Sequence, residues 1–321
     1  MIEWRNFIKK KLGMVFKHFL GGVYGKSHAN PTIFVFHDIT DHPSQFSKQY
    51  GLAISLESFS RQIDWIDRKY KIIHPLDLTN SKNIPKNAAV ISFDDGFLGS
   101  FENGLNILNK KGVPSILFLN MQPIIEQSPL VSAIACYIET SMPDFRFFSK
   151  KYDISSPLHL SLTASSLALF EKECKVIDKD SVLLYQGEFA NIDIVKKWEN
   201  SDLVVYGNHL YNHWNVLALS SDELREQYLT NEELLSQFKN SVNFFAFPNG
   251  QPKTCFSECD VSLIRDLGAK KVFSASGGVN YDPSSFILNR MSLYEKDDDE
   301  DYIWFQLGRS LLKNILPKRL Q

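Results

Sequence analysis

Along the chain, short runs of apolar, β-branched and aromatic residues alternate with stretches whose apolar positions recur every three to four residues, the periods of buried strands and amphipathic helices. Strand composition is found in Thr32–Phe36, in the run around Val90 and Ile91, and in Ser115–Leu119, Leu203–Tyr206, Phe244–Phe247, Lys271–Phe273 and Phe286–Leu288, with a short candidate at Tyr70–Ile73. Between them, helices are predicted over Leu56–Lys69 (Phe59, Ile63 and Ile66 on one face, Ser58 near its start), Phe101–Lys111 closed by Gly112, Asp222–Phe238 capped by Ser220 or Ser221, and Val261–Leu267. At least six strands alternating with helices predict a parallel sheet. Residues 122–202 break the rhythm. They carry helical patterns at Val131–Ile138, Ser165–Val176 and Ile192–Trp198 and are far longer than an ordinary connection, so they are expected to form a helical insertion, a lid or a substrate-facing subdomain. Ser81–Lys86 reads as a loop and Asp297–Asp301 as a solvated acidic turn.

Several strands end in polar, chemically capable residues: His37, Asp94 and Asp95, His209, Asn249 and Arg290. Clustering at the C-terminal ends of parallel strands is what an α/β fold of the (β/α) barrel type, or a barrel-like relative, produces; a doubly wound open sheet is the alternative. Asp94-Asp95-Gly96 is the most informative point, because two adjacent carboxylates emerging from a buried strand need a cation, a proton or a ligand. A partner lies downstream in His209 and His213, which share one face if that turn is helical. One carboxylate (Asp95) and two imidazoles leave a position open for water, whose pKa a bound zinc brings to about 7. In that arrangement Asp94 is the candidate general base and His37 the candidate general acid. The backbone N–H of Asn249 is placed to help hold an oxyanion. Arg290 is expected to orient Asp94, to bind an acidic substrate group, or to form a structural ion pair.

Composition narrows the field. With 321 residues and 44% hydrophobic content the chain can bury a full core, and its formal charge of -2 argues against a nucleic-acid partner. Four cysteines are too few for a disulfide scaffold, and no second thiol pair accompanies Cys255 and Cys259. The two ends are basic and amphipathic: Trp4, Ile8, Leu12, Val15, Phe16 and Phe19 fall at helical spacing among lysines, and Trp304, Leu307, Leu311 and Ile315 do so beside Arg309, Lys313, Lys318 and Arg319. Such stripes either pack on the domain or lie on an anionic membrane surface. No run is long and apolar enough to span a membrane, and no secretory cleavage site follows the N-terminal segment. The expected organisation is a basic amphipathic helix over 1–30, a barrel over 31–295 carrying the insertion at about 122–202, and a C-terminal amphipathic helix over 296–321.

Three segments, Ser92-Phe93-Asp94-Asp95-Gly96, Gly207–His213 and Phe245–Gly250, resemble in order three motifs of the polysaccharide deacetylases, carbohydrate esterase family four, across roughly Pro31–Tyr294. The resemblance implies a distorted, incomplete (β/α) barrel and removal of acetyl groups from glycans with a divalent metal, with Asp94 as base and Asp95, His209 and His213 as ligands. Ala246 stands where the better-known branch has an arginine, and Leu288-Asn289-Arg290 where it has Leu-x-His. The chain is in this respect similar to the branch of biofilm poly-N-acetylglucosamine deacetylases, in which the strand order is permuted and an N-terminal His-Asp supplies the acid, as His37-Asp38 would; Arg290 would replace the missing arginine. Trp214 occupies a position where many relatives have proline, which would alter the substrate groove. The implied enzyme is a carbohydrate deacetylase cleaving a linear amide C–N bond, with Zn2+, or else Co2+ or Ni2+. Its substrate would be an N-acetylated sugar of a glycan or a lipid-linked precursor. It would act in the bacterial cytoplasm or peripherally at the cytoplasmic face of the inner membrane. A deformylase of a lipid-linked formamido sugar, a catalytically silent glycan-binding protein and a membrane-surface scaffold are the alternatives.

Overall fold

A computed structural model describes residues 2–24, 31–142, 144–151, 153–174, 177–277 and 279–315. Seven parallel strands form its centre: β1 (Thr32–Phe36), β2 (Ala88–Asp95), β3 (Ser115–Leu119), β4 (Val204–Asn208), β5 (Ser241–Ala246), β6 (Lys271–Ser274) and β7 (Ile287–Ser292). Each pairs with its neighbour in sequence, and β7 returns to β1, so the sheet closes into a seven-stranded (β/α) barrel. Lys71–Ile72 adds a two-residue strand at the start of β2. The open-sheet alternative is thereby excluded.

Period-two alternation explains the core. Ile33, Val90, Ile116, Phe118, Val205, Phe244, Ala246, Phe273 and Leu288 fill the barrel interior. The intervening residues Phe34, Phe36, Ile91, Phe93, Leu117, Leu119 and Tyr206 face the helices outside. The same inward parity holds for Asp94 and Arg290 within β2 and β7 and carries one residue past β1 and β4 to His37 and His209, which is why these four reach the barrel mouth.

Helix α1 spans Ile2–Tyr24 and α2 spans Leu56–Lys69, the range predicted from spacing. The cap of α2 is Ser55, whose hydroxyl accepts from the Ser58 N–H, while the Ser58 hydroxyl donates to Glu295. The insertion contains seven short helices among the described residues, of which α3 (Val131–Ser141) is the first long one. Four of them (Met121–Glu126, Phe145–Lys151, Leu158–Ser161 and Lys179–Gln186) gave no periodic signal because one or two turns are too short to show one. Lys175 and Val176, at the end of the predicted Ser165–Val176 helix, lie outside the described residues. Helix α4 (Ser221–Leu235) starts from a Ser220–Glu223 capping box.

Helix α5 (Glu300–Ile315) packs across α1. The approach is close: a Cβ on Gly13 would come within 1.7 Å of the Asp301 carbonyl oxygen, and one on Gly308 within 2.3 Å of the Phe16 ring. The acidic segment before α5 is therefore no solvated turn. Asp297 is buried and accepts from the Tyr294 N–H, Asp299 pairs with Lys10 at 2.6 Å, and Glu300 pairs with Lys17 at 2.9 Å. The side chains of Trp4, Leu311, Lys313 and Ile315, and the whole of Lys318 and Arg319, lie outside the described residues.

Candidate metal centre

Strand β2 delivers Asp94 and Asp95 at its last two positions, both buried. Alternation alone would send them to opposite faces. The backbone avoids this by entering the left-handed region at Asp95 (φ 74°) and continuing through Gly96 (φ 106°), whose N–H bonds back to the Asp94 carbonyl at 2.9 Å. Both carboxylates consequently face the barrel mouth.

The histidine loop follows β4 and is not helical, so the face-sharing expected from the four-residue spacing is not what unites the two rings. Leu210 takes a left-handed φ of 66°, and the loop is held by amides instead. The Asn208 Oδ1 accepts from the Leu210 N–H at 2.9 Å, and Asn120 donates to the carbonyls of His209 and Leu210. Asn231, on α4, donates to Asn208 and to the Leu119 carbonyl. Asn212 accepts from the N–H groups of His213 (2.7 Å) and of Val131 (2.8 Å), the latter at the start of α3. Asn120 and Asn231 carry no sequence signal, because their partners are distant in the chain.

This scaffold places the His209 Nε2 3.4 Å, and the His213 Nε2 3.5 Å, from Asp95 Oδ1. Bonds of about 2.1 Å at tetrahedral angles set neighbouring donors about 3.4 Å apart, so these spacings suit one small divalent cation. Two further observations fit. Asp95 Oδ1 is buried and accepts no hydrogen bond. His209 Nδ1 lies 2.7 Å from the Ala246 carbonyl, which can only accept, so the proton sits on Nδ1 and Nε2 keeps its lone pair for a ligand role. Among the described residues, Asp95, His209 and His213 form a group of metal-ligand type.

The electrostatics agree with deprotonated donors. Burial pushes the His213 imidazole down to about 4, against the pull of Asp95, so it is neutral at physiological pH. Burial alone would raise Asp94 and Asp95, but it is outweighed. The Arg290 guanidinium holds Asp94 below the usual carboxylate range, and Asp95 is held down while a neighbouring imidazole, His213 first, carries a proton.

Arg290, almost fully buried, projects inward from β7 and clamps Asp94 with two bonds, Nη1 to Oδ1 at 2.6 Å and Nη2 to Oδ2 at 2.7 Å. Its Nε donates to the Ser274 carbonyl, and the guanidinium lies 5.2 Å from the Phe118 ring centre. Of the three roles open to Arg290, the contacts match orientation of Asp94, through a buried ion pair.

A cavity of about 430 Å³ opens over these groups. His37 and Asn249 line it beside the two aspartates and two histidines, whereas Trp214 does not; Trp214 packs against the apolar cluster of the insertion that contains Ile138, Leu158 and Phe170. Asn249 has a left-handed φ of 59° and a buried Nδ2 without a partner. The Asp38 carboxylate turns away from the cavity and accepts from the Ser47 hydroxyl at 3.3 Å. Cys255 and Cys259 are separate free thiols.

The barrel is similar to several solved structures. They include the Streptococcus pyogenes deacetylase PplD in complex with acetate (TM-score 0.57, 13% identity, 89% of this chain and 98% of that one), IcaB from Ammonifex degensii (0.54, 15%, 86% and 96%) and a de-N-acetylase from Aggregatibacter actinomycetemcomitans (0.55, 16%, 85% and 98%). At such identities the likeness is one of fold. No curated protein matches the sequence. The family described as polysaccharide deacetylase matches residues 81–271, a segment that contains Asp94, Asp95, His209, His213 and Asn249. Because that match takes in more than half of the chain and the barrel carries its residues to one mouth, the chain belongs to the polysaccharide deacetylase family.

Proposed function

We propose that the protein is a metal-dependent hydrolase that removes an acetyl group from an N-acetylated sugar, in a glycan or a lipid-linked glycan precursor. One observation carries this reading: two imidazole nitrogens, each at tetrahedral spacing from one Asp95 oxygen, stand beside a clamped, ionised carboxylate. Asp95, His209 and His213 would hold the cation, with Zn2+ the first choice and Co2+ or Ni2+ compatible with the same donors. A divalent cation there supplies a Lewis acid for the acyl carbonyl and lowers the pKa of water.

The chain's own groups divide the remaining work. Arg290 occupies one lone pair on each Asp94 oxygen, leaving the others to accept a proton from the attacking water. His37, on the same cavity, gives a proton to the departing amine as the C–N bond breaks. Asn249, in a left-handed backbone conformation on the same cavity, offers its backbone N–H to the developing oxyanion. The use of His37 and Arg290, with alanine at position 246, supports placement near the biofilm poly-N-acetylglucosamine branch. The same machinery would serve a deformylase of a lipid-linked formamido sugar, and the amphipathic ends favour work at the cytoplasmic face of a membrane.

The test is the metal content of purified protein beside a His209→Ala/His213→Ala double variant, with acetate and formate release from acylated amino sugars. About one zinc, cobalt or nickel per chain, lost in the double variant, together with Asp94→Asn protein that keeps metal and loses turnover, is the expected result. Metal-free protein that cannot be reloaded would overturn the assignment and favour a silent glycan-binding protein, and active Asp94→Asn would overturn the role given to Asp94.

A further inference from the structure

Helix α1 presents two faces of different chemistry. Its inner face meets α5 through Gly13 and the half-buried Phe16, and Lys10 and Lys17 reach past that seam to Asp299 and Glu300. Its outer face carries Ile8, Leu12, Val15 and Phe19, spaced four, three and four residues apart and 39%, 42%, 49% and 70% exposed. Phe7 and Met14 flank that stripe, also exposed. Ordinary packing thus accounts for the inner face only, and six large apolar side chains on one helix remain in water, a concentration that marks a contact surface.

Charge identifies the occupant. From Ile2 to Tyr24 the helix has five lysines and arginines and one acidic residue, Glu3. Lys9 and Lys11 are exposed and form no ion pair among the described residues. A second copy of this helix would set lysines mostly against lysines, with Glu3 the single carboxylate of the helix to offset them. No described helix is long and apolar enough to cross a membrane. An apolar stripe on a helix of net positive charge, with the exposed Lys9 and Lys11 beside it, suits the boundary between headgroups and acyl chains of an anionic bilayer, where a helix lies in the plane of the surface.

We propose that α1 docks the protein, along its Ile8–Leu12–Val15–Phe19 face, on anionic phospholipid surfaces. Docking bears on the site because α5 is shared: its Gly308 packs on α1, while its Gln306 and Arg309 line the cavity above the aspartates and histidines. A sugar anchored in the bilayer would therefore find the cavity rim one helix away from the surface. That last step rests on the proposed deacetylation, whereas the docking stands on the helix alone and is read without turnover.

The experiment is co-sedimentation of the full chain with vesicles of phosphatidylcholine alone or with 30% phosphatidylglycerol (about that fraction suffices for a strongly negative surface). Wild type should partition onto the anionic vesicles, weakly onto the neutral ones, and less as salt rises. Leu12→Gln/Val15→Gln/Phe19→Gln should reduce partitioning about tenfold or more, and Lys9→Glu/Lys11→Glu similarly, since each cation contributes about a fivefold effect at such surfaces. Far-UV circular dichroism confirms that each variant is folded, and Leu184→Gln, exposed on the insertion, serves as the control. Absence of wild-type binding at low salt, or undiminished binding by both sets of folded variants, would overturn the proposal. So would a dimer in light scattering that the triple glutamine variant abolishes without any vesicle binding, since the face would then belong to a second copy. Loss of acetate release from soluble N-acetylated oligosaccharides with docking intact would count against the deacetylation alone.

Discussion

Asp38 and Asp94 are both buried carboxylates, of which only Asp94 lines the cavity, and the fold treats them in opposite ways. Asp94 has a guanidinium on both oxygens and stays ionised; Asp38 has one hydroxyl, and burial pushes it up to about 6 from an ordinary 3.8. A carboxyl whose folded-state pKa is raised favours the native state fully below its unfolded pKa, and that contribution is lost as pH rises through the folded value. Stability should therefore fall between about pH 4 and pH 6 on account of Asp38. Asp38→Asn should be more stable than wild type at pH 7.5 by up to about 3 kcal/mol and nearly equal to it at pH 4, as urea unfolding at the two values would measure. Equal differences at both would refute the linkage. At this scale the sequence was most readable where chemistry clashed with burial: Asp94-Asp95 at the end of an apolar strand had no structural explanation. Arg290 was visible at a strand end, but its choice of partner depended on barrel closure. Asn120, Asn208 and Asn231 looked like ordinary polar residues, although together they fix the histidine loop.

Among the elements, α1 and α5 show how spacing reveals a helix without saying which side of it meets the protein. The apolar stripe was open to packing or to a membrane surface; of its members Phe16 meets α5, beside the least conspicuous residue, Gly13, which lies against the backbone of Asp301. Gly13→Val should force the helices apart and cost about 1–3 kcal/mol. The melting temperature should fall and trypsin should cut sooner at Lys9–Lys11, whereas Met14→Ala on the outer side should change neither. A Gly13→Val protein with the melting profile and cleavage rate of wild type would contradict the packing. Ring strands were legible because each was a short buried run ending in a polar residue. The π-helical start at Ser100–Gly104 and the one-turn helices of the insertion were not, since they follow from tertiary contacts and lack a period of their own.

For the whole molecule, strand order around the ring repeats strand order in sequence; the alternation of apolar runs foretold the parallel sheet, and the polar residues at the strand ends pointed to a barrel ahead of an open sheet. Closure by β7 on β1 was invisible locally, because it joins segments near opposite ends of the chain. The insertion was recognised by its length, but its attachment was not. His213 has the insertion on both sides: Asn212 accepts from the N–H of Val131, and Trp214 is packed in the insertion's apolar cluster. Removing the first tie with Asn212→Ala should weaken metal retention about 10–100-fold, as loss of a residue supporting a ligand commonly does, and should loosen the insertion to proteases in the same variant. A loss of one without the other would separate the two roles. A segment fastened in this way is not an exchangeable cassette. On the proposed reading, substrate range and metal hold would be mechanically tied through three consecutive residues, so recombination that imports a foreign insertion would have to import residues 212–214 with it, and specificity would be freer to drift by single substitutions along the cavity than by swapping the piece that frames it.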